Sequence, residues 1–490
     1  MTTIYDLPHE LLENILLQTD VESLTRCRQV SRSFNEIITS SSMIQYRIEL
    51  AMDGFEDNPE GRPDWSVQER LEALRSRRSG WKTMQPTYRR VVTSVRWSLE
   101  QHSVLYRFAT RSHFAWLENP EDECIHVLQV PSVSRGIPER EWVVNLEGYM
   151  LGAGGEYMTM ESDEDLLVVT DLGEEERAIV LLSLTTGEYH PEAQSPILSF
   201  WRSAEQCLNV CGDYLCVGII LEHDDTACED SYIYNWKTGV LLLFLPGRNR
   251  NDLAFAPDQH LLVMHTNHTE SKRSVILAFH LPSLPPLDLD SIEILRLGGV
   301  ELQLPSDFHP LNVEASPSPQ SRGPQSLDNS SAFHPKRHHR DESGVVVLHP
   351  YYNKKYKDRN TDTMILPWSA FLSGNKIAQD TGKKALEWEE WGHQVARRVP
   401  GSDKELESLW TVDGACTYLQ GKSVESAVES GLDELKSLIR RAELAVLEEE
   451  EEIDRNVLLL GDDCVIISEV PSAHSQEGDW TQQRDHILSF

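Results

Sequence analysis

A strand-like segment that recurs along the middle of the chain constrains the fold most. Ile125-His126-Val127-Leu128-Gln129-Val130-Pro131-Ser132 is followed by Ile179-Val180-Leu181-Leu182-Ser183-Leu184-Thr185-Thr186, then by Tyr232-Ile233-Tyr234-Asn235-Trp236-Lys237-Thr238 and by Val275-Ile276-Leu277-Ala278-Phe279-His280-Leu281-Pro282. The equivalent positions Val130, Leu184, Trp236 and Leu281 stand 54, 52 and 45 residues apart. Thr-Gly follows two of the copies, at Thr186-Gly187 and Thr238-Gly239, as a hairpin turn requires. Upstream of three copies lies a second apolar run: Leu166 to Val169, Leu215 to Gly218 and Leu261 to Met264.

Two strands, a turn and a return at this period form the unit of a propeller blade. From about Val91 onward, Val, Ile, Leu and Tyr cluster in short runs separated by Gly, Pro, Asp and Asn, which is strand periodicity. The expectation is a mainly-β domain over residues 91–490, a β-propeller of six or seven blades. A β-sandwich or a series of smaller β domains is the rival. The segment Asn235-Trp236-Lys237-Thr238-Gly239 resembles the Trp-Asp end of WD-repeat blades, but the Asp and the upstream Gly-His are absent. The blades are degenerate relatives of that pattern.

The first fifty residues have a different period. Pro8 suits a first helical turn, where its missing N–H costs nothing. Leu11, Leu12, Ile15 and Leu16 follow at helical spacing. Asp20 can cap a second helix carrying Val21, Leu24 and Cys27, and Ser31 a third carrying Phe34, Ile37 and Ile38. Three short helices leave little room for a private core, and a module of roughly 45 residues is marginal alone. Its apolar residues would gain more by burial against a partner.

The order of residue types from Leu7-Pro8-His9-Glu10-Leu11-Leu12 through Arg28-Gln29-Val30-Ser31-Arg32 to Phe34 resembles an F-box along its full length. Phe34 stands where many members carry Trp. The resemblance implies a multidomain protein with a small all-α F-box at residues 1–50. It implies docking on the Skp-family adaptor of a cullin-RING ubiquitin ligase, and through that adaptor to cullin. The adaptor-facing residues it implies are Leu7, Pro8, Leu11, Leu12, Ile15, Leu16, Leu24, Val30 and Phe34.

Residues 51–90 read as a helical linker. A polar stretch from Asp53 to Asp64 precedes Ser66 and Glu69, which have capping-box spacing. The helix they start places Val67, Leu71 and Leu74 on one face and is expected to end near Gly80. It would tie the F-box to the β domain as a bracket. The interval from Arg70 to Arg96 also holds Arg75, Arg77, Arg78, Lys82, Arg89 and Arg90 against one acid, Glu72. A solvated helix face is the expectation there, with a patch for an acidic partner as the alternative.

Two insertions interrupt the β pattern. Over Ser306 to Ser343, Ser and Pro supply 13 of 38 residues, too polar to order themselves by burial, so a disordered loop is expected at about 306–343. Deleting Glu314 to Asp341 within it should barely change the melting temperature. The second insertion, at about 423–454, carries Leu432, Leu435, Ile439, Ala442 and Val446 at spacings of three and four and reads as an amphipathic helix.

Charge and composition exclude several functions. The formal charge of −34 argues against a nucleic-acid or anionic-membrane surface. No apolar run reaches the length that spans a bilayer. Eight cysteines without a CxxC pair suggest neither a zinc site nor a disulfide scaffold, and Cys207, Cys211 and Cys216 read as core thiols. A soluble intracellular protein, cytoplasmic or nuclear, is expected. No phosphate loop, nucleophile elbow, zinc-binding helix or calcium loop occurs. The reading is therefore non-catalytic, with no metal and no cofactor. It describes a substrate-recognition subunit whose β domain binds an unknown protein target. The alternative is an adaptor-binding scaffold without a degradation substrate; a propeller enzyme with an appended F-box is a third class.

Overall fold

The computed structural model describes residues 7–98, 103–118 apart from 106 and 111, 124–147, 158–172, 177–200, 205–245 apart from 224 and 225, 251–286 apart from 257, 258 and 267–273, 300–315 apart from 309, 331–335, 345–350, 363–399, 441, 454–470 apart from 461–463, and 480–490. Four helices open the chain: α1 (His9–Leu17), α2 (Val21–Val30), α3 (Arg32–Ser40) and α4 (Ser42–Asp53). Asp20 caps α2 by accepting the Ser23 N–H at 2.8 Å. Ser31 holds the N-cap position of α3, but its hydroxyl makes no capping bond. The fourth helix, which the three-helix expectation lacks, changes the energetics. Ile44 and Ile48 join Leu12, Leu16, Leu24, Ile37 and Ile38 in a core of the module's own. Full burial of such side chains contributes about 1.5–3 kcal/mol each.

The stretch expected as a polar link is ordered. It carries β1 (Phe55–Asp57), and after it the Ser66/Glu69 capping box starts α5 (Val67–Thr83), which runs through Gly80 and Trp81. The chain then enters the β region with β2 (Tyr88–Ser98) and β3 (Ser103–Leu105).

Six sheets follow among the described residues. Blade 1 is β4 (Arg107–Ala109), β5 (His113–Trp116), β6 (Cys124–Gln129) and β7 (Arg140–Asn145). Blade 2 is β8 (Met158–Glu161), β9 (Leu166–Leu172), β10 (Arg177–Ser183) and β11 (Ile197–Phe200). Blade 3 is β12 (Glu205–Cys211), β13 (Tyr214–His223), β14 (Thr226–Asn235) and β15 (Val240–Leu245). Blade 4 is β16 (Asn251–Ala256), β17 (His260–Thr266), β18 (Ser274–His280) and β19 (Glu301–Gln303). In blade 5, β20 (Pro310–Ala315) leads through β21 (Phe333–Pro335) to β22 (Val345–Pro350) and β23 (Thr363–Pro367). An excursion through α6 (Trp368–Thr381), β24 (Ala385–Leu386) and α7 (Trp388–Trp391) then brings in its outer strand, β25 (Arg397–Val399). On the way β24 adds a parallel fifth strand to blade 4. Blade 6 is β26 (Asp454–Leu460), β27 (Cys464–Val470) and β28 (Trp480–Ser489), completed by β2 and β3 from the other end of the chain.

The strand order explains the continuous apolar runs. Within β9, Leu167 and Val169 pack into the layer shared with blade 1, and Leu166 and Val168 into the layer shared with blade 3. A strand buried on both faces has no polar side to alternate with. The same split occurs in β13, where Leu215 and Val217 face blade 2 and Tyr214 and Cys216 face blade 4. Further clusters join blade 4 to blade 5 and blade 6 to blade 1. The first strands lie against one another, β4 against β8, β8 against β12 and β16 against β20, as inner strands around an axis do. The domain is a β-propeller.

The sequence repeat is the third strand of each blade. Val130, Leu184, Trp236 and Leu281 each follow the last paired residue of that strand and are buried. Each donates its backbone N–H back to the turn before the second strand: to the carbonyls of Ser112, Asp165, Asp213 and Gln259, at 2.7–3.0 Å. Trp368 and Phe490 hold the same place in blades 5 and 6 and are also buried. At the Thr238-Gly239 turn, Asn235 Oδ1 accepts the Thr238 N–H at 3.0 Å, and Gly239 has φ +70°, a conformation that favours glycine.

The expectation of a disordered loop over Ser306 to Ser343 is corrected where that segment is described: it supplies β20 and β21, and Ser331, Ala332 and Phe333 are buried, while 316–330 and 336–343 lie outside the described residues. The helix expected at about 423–454 lies outside the described residues, apart from Arg441, whose guanidinium donates to the Lys82 carbonyl.

Candidate docking site

Helix α1 is apolar on both sides. Leu12 and Leu16 face the module's core, while Leu11 and Ile15, one turn apart, are 49% and 46% exposed. Val30, at the end of α2, is 79% exposed, and Pro8 is exposed before α1. Leu7 and Phe34 are half-buried and pack against the core. Of the nine residues implied as adaptor-facing, Leu12, Leu16 and Leu24 are therefore interior. Leu12 and Leu16 anchor α1, and Leu24 anchors α2, in that core. Spacing alone does not separate the two faces of α1, because both carry large aliphatic residues one turn apart.

Two sets of contacts hold this module to the propeller. At the C-terminal end of α5, the Trp81 ring lies 4.5 Å from that of Phe490, and Thr87 N–H bonds the Ser489 carbonyl at 2.8 Å. At its N-terminal end stands Arg70, 4% exposed. Its guanidinium bonds Asp57 Oδ1 at 2.9 Å and the carbonyls of Asn58, Arg62 and Ala332 at 3.1, 2.5 and 2.7 Å. Ala332 belongs to the strap formed by β21, which pairs with β1. Phe55 and Phe333 meet edge to face at 5.2 Å. Asn58 donates its backbone N–H to Ala332 and its side-chain amide to Ser331. Tyr46 Oη donates to Asp57 at 2.6 Å, and burial together with that carboxylate pushes the phenol pKa upward.

The arginine-rich interval is in part a solvated face, with Arg75, Lys82 and Arg89 exposed, and in part a set of pairs that tie elements together. Arg75 and Arg78 pair with Glu49, and Arg78 also pairs with Asp53, joining α5 to α4. Arg77 lies over the Phe55 ring at 4.5 Å. Arg90 pairs with Glu139 and Glu141 of blade 1. Arg70 was legible in the sequence only as a charge on an apolar stripe, three residues after Val67 and four before Leu74.

No group of three or more His, Cys, Asp or Glu side chains able to hold a metal occurs among the described residues. Among them, too, no helix is long and apolar enough to cross a membrane.

The fold class is that of a four-helix module with an exposed apolar stripe, bracketed against a β-propeller. Residues 4–45 match the family model of the F-box domain, so the chain carries an F-box at its N-terminus. F-box domains bind Skp-family adaptors, which link to cullin. A search of curated proteins finds no match. Among solved structures, the chain is similar to a putative TolB from Agrobacterium tumefaciens, at 12% identity and a TM-score of 0.29, over 57% of this chain and 86% of that one. A chain of a Mitotic Checkpoint Complex aligns at 13% identity and a TM-score of 0.25, over 44% of this chain and 58% of that one. The β-propeller domain of the Trilobed protease from Pyrococcus furiosus aligns at 9% identity and a TM-score of 0.25, over 54% and 69%. The blade architecture rests on the sheet order and strand contacts described above, not on these likenesses.

Proposed function

We propose that this protein is a substrate-recognition subunit of a cullin-RING ubiquitin ligase of the SCF type. The F-box docks on the Skp-family adaptor through Pro8, Leu11, Ile15 and Val30, with Leu7 and Phe34 at the margin, and the propeller binds the target. The observation that carries the reading is the outer face of α1, where Leu11 and Ile15 stay half-exposed although the opposite face fills the module's core. An apolar stripe left in water beside a complete core fits a partner's groove. The chemistry of ubiquitin transfer belongs to other subunits in this reading.

Changing Leu11 and Ile15 together to Ala is expected to abolish adaptor capture in a pull-down, since each loses about 1–2 kcal/mol of apolar contact on docking. Both side chains lie outside the core, so the melting temperature should hold. Undiminished capture would refute the assignment. The target is expected at loops on one end of the propeller axis, where chain connections cluster. With a formal charge of −34, the chain favours a basic segment, and association should weaken as salt is raised. Crosslinks from a captured target that fall only before Trp81 would refute propeller binding.

A further inference from the structure

We propose that the strap Ser331–Pro335 is a clasp that fixes the orientation of the F-box module on the propeller, with Arg70 as its positioning residue. The inference deepens the adaptor-docking reading and rests on it for its biological use. Its physical content is independent of any partner.

The strap is an excursion of blade 5, between its inner strand β20 and its second strand β22. Among the described residues it pairs with β1 and with no strand of its own blade. It reaches blade 1, where the Ala332 N–H donates to the Arg135 carbonyl at 2.8 Å, and its other side pairs with β1 of the F-box linker. The propeller thus grips the module with a segment of one blade held against the turn of another. Arg62 closes the far side by donating to the Gly136 carbonyl at 3.3 Å.

Two pins determine an orientation where one leaves a pivot. Trp81 against Phe490 is the first pin and Arg70 against Ala332 the second. They stand eleven positions apart on α5, about 16 Å at the helical rise. The F-box helix α4 is fastened to this lever by Arg75 and Arg78. Rotation of α5 about the first pin therefore moves the whole docking face.

Arg70 suits the second pin chemically. A planar fork with several N–H groups can hold carbonyls from the linker and the strap at once. Gly61 is the steric counterpart. A Cβ there would stand 2.0 Å from the Ser331 carbonyl oxygen, so only glycine lets the linker approach the strap this closely.

The test uses the full-length free protein, with fluorophores placed by unnatural amino acids at the exposed positions Glu36 on α3 and Val143 on β7. Wild type should give a narrow distance distribution. Arg70→Met and Gly61→Ala should each broaden it, while hydrogen exchange shows α1–α4 still protected. Adaptor pull-down, done separately, should be unchanged in both variants. Distributions as narrow as wild type in both variants would overturn the clasp. So would loss of α1–α4 protection in both, which would make the strap part of the module's fold. If wild type captured no adaptor, the docking reading would fail, while the distance result would still decide the clasp.

Discussion

Glu164 is a carboxylate with 4% of its side chain exposed, and Lys237 bonds it at 2.7 Å. The same ammonium reaches Glu192 at 2.9 Å and Asp213 at 2.8 Å, so one lysine of blade 3 bridges two acids of blade 2 and one of its own. Burial raises the Glu164 pKa, and Lys237 works against that rise. Lys237→Met leaves a buried carboxylate without its counter-ion and is expected to cost about 1–3 kcal/mol. The pH dependence has a definite sign. A carboxyl with a raised folded pKa binds more protons folded than unfolded, so stability grows as pH falls through that pKa toward the unfolded value. The deficit of Lys237→Met should therefore shrink on mild acidification, read by urea unfolding at a series of pH values. A constant or growing deficit would show that Glu164 is not the group left stranded. Trp236, beside this lysine, was legible from the repeat; the partners of Lys237 were not, because they lie on other strands far along the chain.

At the scale of elements, legibility followed local periodicity. The third strands of blades 1 to 4 stood out because each is flanked by a second strand at short range, and both are buried on two faces. The equivalent strands ending at Trp368 and Phe490 were missed. Insertions put them 87 and 122 residues beyond the previous copy and erase the period. The strap was missed for another reason. Over 38 residues a third are Ser or Pro, yet ordering needs only Ser331-Ala332-Phe333-His334-Pro335, whose partner β1 lies 276–280 residues earlier. The consequence is measurable. Deleting Glu314 to Asp341, which the composition marks as harmless, removes the end of β20, the whole strap and the buried Phe333. A buried phenylalanine alone contributes about 1.5–3 kcal/mol, so the melting temperature should fall by several degrees. Deleting 316–330 and bridging the gap with a flexible linker keeps both strands and should be far milder. Equal melting temperatures for wild type and the longer deletion would mean that the strap contributes nothing to stability.

At the scale of the whole molecule, the ring depends on joining its two ends. Blade 6 takes three strands from the C-terminal end and its fourth, β2, from just after the bracket helix, so β2 pairs with β28 from Tyr88–Ser489 to Trp97–Trp480. Asp485 is fully buried at this seam. It accepts Ser94 Oγ at 2.6 Å and Ser468 Oγ at 2.5 Å, and it is ion-paired with Arg107 of blade 1. One carboxylate thus ties the N-terminal strand, the C-terminal strands and the neighbouring inner strand. Removing one member of a buried pair strands the other, at about 3–5 kcal/mol, whereas replacing both by apolar groups of similar volume is often nearly neutral. Asp485→Ala should therefore lower the unfolding free energy sharply, and Arg107→Leu with Asp485→Leu should recover much of the loss. If the seam closes the ring, destabilising it lowers every blade together. Trp116 in blade 1, Trp236 in blade 3 and Trp368 in blade 5 are all buried and would lose their native environment at one denaturant concentration. Urea unfolding of the single variant, with hydrogen exchange resolved by segment, distinguishes the cases. Loss of protection confined to blade 6 while blades 2 to 4 keep theirs would mean that the blades unfold independently and that the seam only fastens the last one.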